Sequence, residues 1–162
     1  MITGLQFAAL LLLAIVMSLS LAHALEYPGK LRLDREHYLA VQTIYYPGFT
    51  YAGVAEPAAV IVLAVLLPMI PAGSARFWLI AGALVAAALT HVLYWWRTAP
   101  VNKVWLRQEE LSPAAERLFG RDPQANANTD WQKLRARWEH SHILRAITSG
   151  SSFLLVVAAV LL

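Results

Sequence analysis

The chain carries five histidines and ten acidic residues but no cysteine. His23 and Glu26 are three residues apart, as are Glu139 and His142, so each pair can share one helix face. Glu56, His91 and Arg145 fall in or beside apolar stretches, where an ionisable side chain is a functional candidate by default. Imidazoles and carboxylates brought together can act as general acid and base, hold a polar substrate, or ligate a metal. The absence of thiols excludes disulfides, iron–sulfur clusters and cysteine nucleophiles. The remaining donors suit iron, copper, manganese or zinc, and two histidines could instead hold haem.

These residues must be positioned by a chain of 162 residues, of which 59% are hydrophobic and 14% charged. Soluble domains carry about a quarter charged residues, so a single integral membrane domain, residues 1–162, is expected. A bilayer core needs about 20 apolar residues in helix. Residues 5–25, 47–70, 77–96 and 143–162 qualify, which predicts an all-α, four-transmembrane-helix bundle. The second span stops at Pro68 and Pro71, and the third closes on Tyr94-Trp95-Trp96-Arg97, an aromatic belt followed by a charge. Ala22-His23-Ala24 resembles a signal cleavage site, but no Lys or Arg precedes Lys30, so the first segment is read as a retained helix.

Four spans put the two long loops on one side and both termini on the other. Twelve of the thirteen Lys and Arg residues fall in or beside those loops, with Arg76 alone on the opposite side. The positive-inside rule then places both loops in the cytoplasm. The basic group Arg107, Arg117 and Arg121 reads as a surface near anionic lipid and not as a nucleic-acid face. Short amphipathic helices are expected in the loops: over residues 34–45, over 101–111, and from Ser112-Pro113 to Gly120. Thr129-Asp130-Trp131-Gln132 has the form of a capping box and predicts the start of the last helix.

This topology gathers the titratable groups at one end. His23 and Glu26 close the first helix, Glu56 lies in the cytoplasmic part of the second, and His91 lies about two turns inside the third. Glu139, His142 and Arg145 lie where the fourth enters the membrane. Trp131, Leu134, Trp138, His142 and Arg145 form one stripe, whereas His140 is about 200° from Trp138 on the wheel. His142 is therefore the preferred site residue. Pro57 cannot donate to the Gly53 carbonyl, so a kink is expected beside Glu56. Inward Glu and Glu-x-x-His groups on four helices resemble the carboxylate–histidine sites of dimetal bundles, and His23, Glu56, His91, Glu139 and His142 are the candidate ligands.

Pro100-Val101-Asn102 resembles a P-x-N motif just after a third helix, and Trp138 to Arg145 resembles W-x-x-x-H-x-x-R entering a fourth. Both are similar to motifs of the small four-helix membrane proteins that include the fungal anthrone oxygenases. The resemblance implies His142, Arg145 and Asn102 as catalytic positions, with Trp138 beside them. It also implies oxidation of a small lipophilic, anthrone- or quinol-like aromatic by dioxygen. Two other classes fit the same residues: a haem-binding or electron-transfer subunit, and a non-catalytic subunit of a homo-oligomer or membrane complex.

Overall fold

The computed structural model describes residues 1–45, 47–105 and 130–162, and these form helices and turns without strands. Four helical stretches are long and apolar enough to cross a membrane: Ile2–Lys30, Gly48–Met69, Ala75–Trp105 and Trp131–Leu161. The first is one continuous helix, α1 (Ile2–Lys30). A short loop helix, α2 (Arg35–Gln42), follows, capped by the Asp34 carboxylate accepting from the His37 amide. A turn of 3-10 helix, Thr43–Tyr45, completes that loop.

The second stretch is broken into α3 (Gly48–Ala52) and α4 (Ala55–Leu66). The interruption at Gly53–Val54 lies where Pro57 withholds its hydrogen bond from the Gly53 carbonyl. That carbonyl is taken instead by the Glu56 amide at 3.1 Å, a tightened three-residue turn. The third stretch begins at α5 (Ala75–Leu93), capped by Ser74 accepting from the Phe77 amide. It passes through a π-helical turn, Tyr94–Thr98, into α6 (Ala99–Trp105). Pro100 explains this irregularity, because it has no N–H for the Trp96 carbonyl four residues earlier. The Arg137 guanidinium donates to that carbonyl instead, at 2.5 Å.

The last helix, α7 (Trp131–Leu161), is capped by Asp130, whose carboxylate accepts from the Gln132 amide. The cap is thus Asp130, one residue after the Thr expected from the capping box. Residues 101–105 continue the third helix instead of starting a separate interfacial one. Residues 106–111, the turn from Ser112-Pro113 to Gly120, Arg107, Arg117, Arg121 and Thr129 lie outside the described residues.

α7 packs against α1 and α5, and α4 packs against α1 and α5 from the other side. The interior divides along its length. Ala9, Leu13, Leu63, Leu66, Ile80, Ala83, Val156 and Ala159 form an apolar core at the end that holds the N-terminus. Small residues let α5 and α7 approach closely there; a Cβ on Gly82 would lie 3.3 Å from the Leu155 side chain. Moving toward the basic end, polar ties join the third stretch to α7. Ser152 donates to the Ala83 carbonyl (2.8 Å), the Thr90 and Thr148 hydroxyls meet at 2.7 Å, and those of Thr98 and Ser141 at 2.8 Å.

Candidate functional site

A cavity of about 410 Å³ occupies the basic end of the helices, within the range of small-molecule sites. Helix breaks position its walls. The Gly53–Val54 interruption presents Glu56 and Pro57, and the π turn presents Tyr94, Trp95 and Thr98. α1 supplies Ser20 and His23, α6 supplies Asn102 and Trp105, and α7 supplies Trp138, His142 and Arg145. Gln42 and Tyr45 close it from the first loop, and Phe49 and Thr50 from α3.

One directed chain of hydrogen bonds runs along the wall. The Trp95 indole N–H donates to His91 Nε2 (3.0 Å), so the neutral His91 ring carries its proton on Nδ1 and donates to Glu56 Oε1 (3.0 Å). The other oxygen of Glu56 accepts from Arg145 Nη2 at 2.5 Å, and the two side chains are only 7% and 12% exposed. Arg145 Nη1 lies 3.4 Å from His142 Nε2. A guanidinium only donates, so that nitrogen is the acceptor. His142 Nδ1 lies 3.0 Å from the Trp138 carbonyl, which only accepts. The His142 tautomer is therefore set: proton on Nδ1, lone pair on Nε2.

His23 and His142 stack edge to face with ring centroids 4.3 Å apart, and Trp138 packs on both. Asn102 Oδ1 accepts from the Trp138 indole N–H at 2.9 Å, and the Asn102 side chain is also hydrogen-bonded to Tyr94. Asn102 thus positions two aromatic walls as well as lining the cavity. No family model, curated protein or solved structure matches this chain.

The expected residues do not all meet. His23, Glu56, His91, Asn102, His142 and Arg145 share the cavity, but Glu139 does not line it. Glu139 is fully buried one turn away, accepting from the Tyr38 hydroxyl at 2.8 Å. His140 is exposed. Among the described residues, no group of three or more His, Asp or Glu side chains is arranged to hold a metal ion. Glu56 and His91 satisfy each other and their neighbours, and the touching rings of His23 and His142 leave no space for a porphyrin between them. As placed, His23 and His142 therefore do not form an axial haem pair.

Sequence reasoning passed over Lys30, counted there only as a loop charge. Its side chain is 4% exposed, paired with Glu26 at 2.9 Å and held over the Tyr45 and Trp138 rings at 4.8 and 4.9 Å. Tyr45 donates to Glu26, and Tyr38 to Glu139. Burial, reinforced by these carboxylates, pushes both phenols above the usual tyrosine range, so both stay protonated donors. The aromatic spacing Tyr45-x-x-x-Phe49 was the one sequence signal for this wall.

Proposed function

We propose that this chain is a multi-pass four-helix membrane protein, its basic loops cytoplasmic, that oxidises a small lipophilic anthrone- or quinol-like aromatic with dioxygen. One observation carries the reading. Seven buried side-chain polar atoms lack a hydrogen-bond partner among the described residues, and five of them belong to cavity residues: Ser20, His23, Gln42, Thr50 and Arg145. Buried polar groups are normally satisfied, so this concentration around aromatic walls suits a ring compound bearing hydroxyl or carbonyl groups. The similarity of the P-x-N and W-x-x-x-H-x-x-R segments to those of the anthrone oxygenases points the same way.

The chemistry uses the chain's own groups. His142 Nε2 removes one proton from the ring methylene of an anthrone, and Arg145 stabilises the enolate oxygen that forms. Dioxygen takes the electron pair at that carbon, forming a C–O bond, and the proton from His142 completes a hydroperoxide. Loss of the second ring proton to His142, with cleavage of the O–O bond, releases water and leaves a quinone carbonyl. One anthrone and one dioxygen give one anthraquinone and one water.

The test is oxygen uptake and quinone absorbance with detergent-purified protein, anthrone and methylhydroquinone. His142→Gln is expected to lower turnover by about 100-fold or more. Folded wild type that oxidises neither compound would overturn the reading and leave the cluster as a structural feature of a non-catalytic subunit.

A further inference from the structure

The walls of the cavity are unequally open. Of all its lining residues, Val54 and Trp95 are the two that are exposed, at 55% and 48%. They lie on adjoining helices, just beyond the point where the Glu56–His91 hydrogen bond crosses from α4 to α5. Both backbones depart from α-helical geometry at this level, at Gly53–Val54 and at Tyr94–Thr98. The outer surface around them is apolar and exposed, with Tyr51 at 63% and Val92 at 56%. Toward the loop, by contrast, the buried Gln42 and the half-buried Tyr45 lie across the cavity, fastened through Tyr38 to Glu139 and through Tyr45 to Glu26.

The charge inside selects further. Arg145, the one cation among the lining residues described, has its charge paired with Glu56 through Nη2, while its Nε keeps no hydrogen-bond partner among the described residues. The polar atoms left without partners around it on Ser20, His23, Gln42 and Thr50 belong to hydroxyl, imidazole and amide groups. A resident anion would add an uncompensated charge beside the neutral Arg145–Glu56 pair, whereas neutral hydroxyl and carbonyl groups meet donors and acceptors, the free Arg145 Nε–H among them, at no charge cost.

We infer that the ligand of this cavity is a neutral hydroxylated or carbonyl-bearing ring that carries an apolar tail, and that it enters sideways from the bilayer between Val54 and Trp95, leaving the tail in that mouth. This rests on the reading of the cavity as an aromatic-binding site and adds the route and the tail. The mouth lies within the Tyr94-Trp95-Trp96-Arg97 belt, the level at which a membrane-dissolved amphiphile presents its polar ring.

The experiment is anaerobic equilibrium binding of radiolabelled methylhydroquinone, decylhydroquinone and hydroquinone sulfonate to the full chain in nanodiscs, for wild type, Val54→Trp and Val54→Ala. Val54→Trp is expected to raise the Kd of decylhydroquinone at least tenfold and to leave that of methylhydroquinone within twofold. Val54→Ala should leave both within twofold, and the sulfonate should not bind. Retained methylhydroquinone binding shows that the variant is folded. An equal effect of Val54→Trp on both neutral probes, an effect on neither, or tighter binding of the sulfonate would overturn the inference. If wild type binds none of the three, the aromatic-site reading itself fails.

Discussion

Glutamine at position 56 would offer one carbonyl oxygen where two donors now converge, the Arg145 guanidinium and the His91 Nδ1–H. Whichever donor loses then faces the amide N–H₂. If Arg145 loses, a cation that is 12% exposed is left, among the described contacts, with His142 at 3.4 Å and the Tyr94 ring at 5.2 Å. Two unit charges 4 Å apart attract by about 4 kcal/mol at an effective dielectric of 20. Removing one partner of a buried pair costs about 3–5 kcal/mol. Because glutamine keeps one acceptor, Glu56→Gln is expected to cost about 2–3 kcal/mol. Arg145→Met should cost a similar amount by stranding the carboxylate, and the double variant should be less destabilised than the sum by about 2 kcal/mol. Reversible unfolding in mixed detergent and SDS, followed by helical circular dichroism, measures the whole cycle. A Glu56→Gln cost below about 1 kcal/mol, with effects additive to about 0.5 kcal/mol, would refute the claim that this pair is a buried, coupled unit.

Three further outcomes are expected. Asn102→Ala leaves the indole N–H of the buried Trp138 without its acceptor and should cost about 1–3 kcal/mol; Trp138→Phe should then cost less in that background than in wild type, by the same unfolding assay. Arg137→Ala should cost about 1 kcal/mol by freeing the Trp96 carbonyl, and Pro100→Ala, which restores a backbone donor to that carbonyl, should reduce this loss; equal losses in both backgrounds would contradict the account of the π turn. At the loop helix, hydrogen bonds from the His37 amide and ring hold Asp34 below its usual 3.8, and the bond to Asp34 raises His37 above 6.5. The His37 contribution is complete below pH 6.5 and fades as pH rises through the raised value; that of Asp34 is present above 3.8 and fades as pH falls through the lowered one. An NMR titration of the His37 ring should move to lower pH in Asp34→Asn, and superimposable curves would refute the coupling.

The four apolar stretches, the Pro57 interruption and the clustering of titratable groups at one end were all legible because each depends on length, composition or a missing N–H. The partners were not. Spacing put Glu139 and His142 on one face, yet a turn of helix separates the environments they reach: Glu139 meets Tyr38 from the loop, and His142 meets His23. Arg145 could have paired with Glu139 on its own helix, but the broken second helix brings Glu56 to it instead. Lys30 looked like a loop charge because burial under two aromatic rings from distant segments leaves no local trace. The π turn was hidden for the same reason, since the donor that Pro100 lacks is supplied by Arg137, across a long gap in sequence.

The ties between the third and fourth stretches have a consequence for how the chain can be divided. From Ala83–Ser152 through Thr90–Thr148 and Thr98–Ser141 to Asn102–Trp138 and Trp96–Arg137, the two are cross-linked along most of their described length. Covalent connection adds to such pairing by raising the effective concentration of one fragment near the other, on the order of millimolar for a short linker. In a chain cut between the third and fourth stretches and expressed as two pieces, these ties remain, and confinement in the same bilayer makes up for lost concentration, so the protein has the makings of a two-fragment complementation pair.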